Sequence, residues 1–90
     1  MSLKKIFSVR DNKVSSYGIP FFNDSEIGAA RDLQMAVNDD KIQLSYFPED
    51  FELFELGSFD NITAEFIMHD KPKFIIGAIS LKKLADTLNK

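Results

Sequence analysis

Four cations and four aromatic rings are interleaved in the first quarter of the chain: Lys4, Lys5, Phe7, Arg10, Lys13, Tyr17, Phe21 and Phe22. Binding single-stranded nucleic acid needs these two residue types together. Rings stack on bases and cations follow phosphates, at spacings that a strand can display. In this reading Lys4, Lys5, Arg10 and Lys13 track phosphates, while Tyr17 and Phe21 or Phe22 stack on bases. Lys71, Lys73 and Phe74 form a second, sparser group of the same kind. The plainer alternative is that Phe7, Phe21 and Phe22 simply fill a core, which a thin domain needs.

Other chemistries find little to work with. His69 is the single histidine and there is no cysteine, so neither a nucleophile pair nor a zinc ligand set can be assembled. Glu49, Asp50, Glu52 and Glu55 could in principle act as acid and base or hold a hard cation. Strand alternation separates Glu52 from Glu55, however, and their expected task is to keep an aromatic edge strand soluble and unpaired. The four glycines are scattered singly and build no phosphate cradle. The expectation is a non-enzymatic protein with no catalytic residue, cofactor or metal.

A chain of 90 residues, 44% hydrophobic, makes one domain spanning 1–90 with a small core, for which a homodimer is a natural way to bury more surface. The absence of cysteine suits a reducing compartment. No apolar run reaches the roughly 20 residues of a membrane span, and the opening MSLKKIFSVRD lacks the apolar stretch of a secretory signal. The net charge of −3 is unevenly distributed. Residues 1–22 carry +3, residues 23–65 carry −9 and residues 66–90 carry +3. Such segregation can mark a polyanion-binding face even on an acidic protein.

The elements that must position these residues follow from periodicity. Lys4–Arg10 sets Ile6, Ser8 and Arg10 against Phe7 and Val9, a half-buried strand. Asp11-Asn12 turns the chain, Lys13–Tyr17 returns as a second strand, and Pro20 leaves Phe21 and Phe22 extended at a strand end. Asn23 and Glu26 have capping-box spacing, with Asp24 and Ser25 as alternative caps. They open a helix near Asp24–Asn38 whose buried stripe is Ile27, Ala30, Leu33 and Val37. Residues 41–50 connect, with Ile42 and Leu44 pinned to the core. Phe51–Leu56 fits either a helix or a strand, and its short length, its aromatic content and Gly57 favour the strand. Asp60-Asn61 makes a hairpin turn into Ile62–Met68, and Asp70-Lys71-Pro72 a second turn into Lys73–Ile79, a central or interface strand. Ser80 caps a short terminal helix carrying Leu81, Leu84 and Leu88. The sum is an α+β domain: an antiparallel sheet of four to five strands, one main helix on one face and a short C-terminal helix.

The order and spacing of several pieces resemble the small non-structural protein of gokushovirus-type microviruses, tiny single-stranded DNA phages. The pieces are Ser8-Val9-Arg10-Asp11, Pro20-Phe21-Phe22, Ala30-Arg31, Val37-Asn38-Asp39, Phe47-Pro48-Glu49-Asp50-Phe51, Leu53-Phe54, Leu56-Gly57 and Phe59-Asp60. The resemblance covers nearly all of residues 3–60 and weakens beyond. After Asp60 the family often has a Thr-Gly turn where this chain has Asn61-Ile62-Thr63-Ala64. The resemblance implies a non-capsid protein in the host bacterial cytoplasm that binds single-stranded DNA during genome replication or packaging. The alternative is an interaction module that binds a viral replication or capsid protein, or a host factor, through the acidic aromatic strand Phe51–Phe59. Exposure of Tyr17, Phe21 and Phe22 discriminates: exposed rings near Lys5 and Arg10 favour DNA, whereas complete burial favours the module.

Overall fold

The computed structural model describes residues 3–82. Five strands, β1 (Leu3–Asp11), β2 (Ser16–Tyr17), β3 (Phe21–Asn23), β4 (Phe51–Asp60) and β5 (Phe66–Gly77), form one antiparallel sheet with a single helix, α1 (Glu26–Val37), on one face. The order is β2-β1-β4-β5, and β3 shares with β2 the outer edge of β1. The expected α+β architecture is therefore present. Short 3-10 turns at Gln43–Tyr46, Pro48–Asp50 and Ala78–Leu81 complete it.

Cross-strand partners lie on the same face of a sheet, so the register assigns every side chain. Phe7 pairs with Phe21 and Glu55, and Val9 with Leu53, which pairs in turn with Ile76. These residues face α1. There Phe7, Leu53 and Ala78 close the core with Ala29, Leu33 and Val37 of the helix, and Phe21, Leu44 and Phe51 pack at its margin. Burying Phe7 or Leu53 fully contributes about 1.5–3 kcal/mol each.

The helix starts one residue later than a cap at Asp24 would place it. Ser25 is the N-cap, its Oγ accepting the Gly28 N–H at 3.0 Å. Asn23 instead braces the entry: its Oδ1 accepts the Ser25 N–H and its amide donates to Asp32. Gly28 makes room for this, because a Cβ there would lie 2.2 Å from Asn23 Oδ1. The buried stripe is Ala29, Leu33 and Val37, with Ala30 half-buried, while Ile27 is 75% exposed. Ile27 lies in the first turn, and the packed stripe begins at Ala29. Ile42 is also exposed, and only Leu44 of the connection reaches the core.

Three irregularities separate the sheet from a regular ladder, one of them at Ile75, an extra residue of β5 between Ile76, the partner of Leu53, and Phe74, the partner of Phe54. Leu56 is an extra residue against β1: Ile6 pairs with Gly57 and Phe7 with Glu55. On the other side Glu55 pairs with Lys73 and Gly57 with Met68, so β5 spends five steps where β4 spends two. The Asp70-Lys71-Pro72 sequence therefore makes an excursion within one long strand and not the hairpin turn its chemistry suggests. Gly57 is required at this point, since a Cβ would approach the Ile67 carbonyl oxygen to 2.4 Å and the Met68 Cα to 2.8 Å. The hairpin at Asp60 forms as expected, with Asp60 Oδ1 accepting the Ile62 N–H at 2.9 Å and Ala64 in the left-handed region at φ 66°.

The last described residues return to the helix. Asn38 donates to the Leu81 carbonyl, and the Lys82 ammonium to the carbonyls of Val37 and Ser45. Ala78–Leu81 is a 3-10 turn, and the rest of the expected terminal helix, with Leu84 and Leu88, lies outside the described residues.

Candidate nucleic-acid interface

The face turned away from α1 carries the remaining rings. Register places Lys4, Ile6, Ser8 and Arg10 of β1 there, with Tyr17, Phe22, Phe54, Phe59, Phe66, Met68 and Phe74 as their direct or once-removed partners. The aromatics form two rows. In one, Tyr17 meets Phe54 edge-on at 5.6 Å and Phe54 meets Phe74 at 5.8 Å. In the other, Phe22 meets Phe59 at 6.0 Å and Phe59 meets Phe66 at 4.9 Å. Strands two apart lie roughly 10 Å from each other. Tyr17 and Phe22 must therefore fold across β1 to reach β4.

Small and apolar residues on β1 permit that crossing. Ser8 lies under the first row, fully buried, its Oγ donating to the Gly18 carbonyl at 2.7 Å. Ile6, between its partners Phe22 and Gly57, is only 4% exposed although no helix among the described residues covers this face. The rings themselves cover it. Their outer surfaces stay in solvent: Tyr17 is 40% exposed, Phe22 52%, Phe66 61% and Phe74 54%. Contiguous exposed apolar faces are uncommon on monomeric proteins.

Cations border the first strand. The Arg10 guanidinium lies 5.2 Å from the Tyr17 ring centre and its Nε donates to Asn12. Lys4, partly exposed, pairs with Asp24 at 2.7 Å. Lys13 is exposed in the turn between β1 and β2. Three residues of the expected set do not share the face, for Lys13 lines a hollow beside Phe51 on the helix side. Phe21 packs toward the helix, stacked on Phe7 at 5.9 Å, and Lys5 points the same way. Phe54, Phe59, Phe66 and Phe74 join the surface, although Phe54 and Phe59 are expected from sequence on a protein-interaction strand and not beside the N-terminal rings. The signal was the recurrence of phenylalanine along two strands predicted to pair.

On the helix side the same bulged region holds a charged cluster. Glu55 is buried, accepting from the Lys5 ammonium at 3.2 Å and from His69 Nε2 at 2.6 Å. It is not the solvated edge carboxylate expected from sequence, because β4 is a central strand and residue 55 faces inward. Burial pushes its pKa up. The hydrogen bonds from His69 and Lys5 and the charges of Lys5 and Lys73 outweigh that and hold it below the ordinary 4.5. His69, expected as a plain surface residue beside a turn, instead anchors the β5 excursion to the sheet. Lys73 bonds Glu26 at 3.0 Å, and that bond, then the charges of Glu26 and Glu55, raise its pKa. This cluster positions β5, and with it Phe66 and Phe74.

The described residues thus define a small α+β protein with one sheet face packed on a helix and the other presenting exposed rings. The chain belongs to the Phage ORF5 protein family, whose model matches residues 4–81 and so takes in all five strands but for Leu3, and the helix. Comparison with the curated proteins and with the solved structures finds no match. Among the described residues no group of three or more His, Asp or Glu side chains could hold a metal ion, and no helix is long and apolar enough to cross a membrane.

Proposed function

We propose that this phage protein is a non-enzymatic accessory factor that binds single-stranded DNA across the open face of its sheet. One observation carries the reading: two rows of rings lie exposed on a sheet face, bordered by Arg10 and Lys4. Ring–base stacking contributes about 1–3 kcal/mol per base and tolerates any sequence, which suits a protein that follows a genome. Tyr17 and Phe22 stack on bases together with Phe66 and Phe74, while Arg10 and Lys4 contact phosphates. Lys5 and Phe21 serve the fold. Replication or packaging of a microvirus genome in the host bacterial cytoplasm is the setting that the resemblance to the gokushovirus protein supplies.

The acidic stretch 23–65 argues against dense coating of DNA, since its repulsion of phosphate opposes tight side-by-side binding. A homodimer fits the same reading. Strand β5 is an unpaired edge with Phe66, Ile67 and Phe74 exposed, and such an edge is a ready site for a second copy. Titration of a labelled oligonucleotide by fluorescence anisotropy tests the proposal. Binding is expected at about 50 mM salt, weakening linearly on a log–log plot as salt rises. No binding at that salt would refute it.

A further inference from the structure

The helix side of the molecule holds a second surface, which meets the open sheet face at Tyr17. An open groove of about 660 Å³ runs between α1 and the turn joining β1 to β2. Val9, Phe21 and Phe51 contribute its sheet side, Leu33 and Ala36 its helix side and Val14 its outer lip. Its size falls in the range of about 300–1,000 Å³ typical of ligand sites. A smaller hollow of about 340 Å³ shares Asp11, Val14 and Phe51 with it and prolongs it toward Phe47 and Asp50. Val14 is 68% exposed and Phe47 47%, large apolar side chains with no apparent structural task.

The charge of the groove is one-sided. Asp11 and Asp32 stand in its lining, Asp50 stands at the extension, and Lys13, which lines the smaller hollow, is the one cation of either cavity among the described residues. Asp11 Oδ1 accepts the Lys13 N–H and Asp32 Oδ2 accepts the Asn23 amide. Neither of those bonds neutralises its carboxylate. These carboxylates disfavour DNA and an acidic peptide alike by repulsion. We infer that this groove is a docking site for a protein partner whose contact segment places a bulky apolar side chain between basic residues. The apolar side chain enters between Leu33 and Val14 while the flanking cations meet Asp11 and Asp32. The inference also moves the interaction surface expected along Phe51–Phe59. Of that strand only Phe51 reaches the groove, since Glu55 is buried and Phe54 and Phe59 lie on the opposite face.

A random peptide library displayed against the full-length protein tests this, followed by affinity measurement on one selected peptide after synthesis. The expected result is enrichment of sequences with Lys or Arg flanking Leu, Ile, Phe or Trp. Binding should weaken at least tenfold with Asp32→Lys and with Val14→Ser, two exposed positions whose variants are expected to stay folded. Oligonucleotide affinity should remain within about threefold of the parent protein for Val14→Ser, which separates failure of the groove from failure of the DNA face. No enrichment, enrichment of acidic sequences, or peptide binding indifferent to both substitutions overturns the inference. So does a parent protein that sediments as a dimer and becomes monomeric with Val14→Ser, because the groove would then be occupied by a second copy.

Discussion

Glu55 shows how a single residue can mislead at the sequence level and inform at the structural one. Among FELFEL it looks like a solubilising charge, yet it is 4% exposed and bound by Lys5 and His69. Its pKa is held below the ordinary 4.5, so the unfolded carboxyl takes up a proton before the folded one does. The stabilisation is therefore complete above that value and is lost as pH falls through the folded value beneath it. Glu55→Gln should cost about 1–2 kcal/mol at pH 7, since Lys5 and His69 are partly exposed and the pair is not fully desolvated. Urea unfolding at pH 7 and pH 3 checks both points: the gap between parent and variant should narrow at pH 3. A gap that stays constant or widens would show that the cluster contributes no charge stabilisation.

At the scale of elements, the bulge at Leu56 is decisive. Phe54 and Phe59 are an odd number of residues apart, so simple alternation puts them on opposite faces. The extra residue returns Phe59 to the face of Phe54 and completes both aromatic rows. Gly57 allows it by letting β5 pass close. Gly57→Ala should displace β5 at Ile67 and Met68 and cost about 1–3 kcal/mol, the range for forcing a methyl into packed structure. That is a drop of several degrees in the thermal midpoint of a domain this size, measurable by circular dichroism. An unchanged midpoint would contradict the packing described.

Much of this level was legible in the sequence. The opening strand, the helix with Ser25 among its caps, and the hairpin at Asp60 follow from periodicity and turn chemistry, which are local. The bulge was not, because it depends on which strands flank β4. Asp70-Lys71-Pro72 was misread for the same reason: its turn chemistry is real but is absorbed inside β5, with His69 tied to Glu55. Exposure of Tyr17 and Phe22, and burial of Phe21 against Phe7, depend on which face the helix covers. Their spacing does not settle that.

For the whole molecule, two faces carry opposite chemistry. The open sheet is aromatic with cations at its border, and the groove beside the helix is apolar with carboxylates. Such a division suits an accessory protein that holds nucleic acid on one side and a protein partner on the other. The most direct test of the proposed DNA face is NMR of the aromatic side chains while an oligothymidine is added. The rings of Tyr17, Phe22, Phe66 and Phe74 are predicted to shift most, and those of Phe7 and Phe21 to stay in place. Shifts confined to Phe7 and Phe21, or no shift under conditions where the protein is folded, would contradict the account.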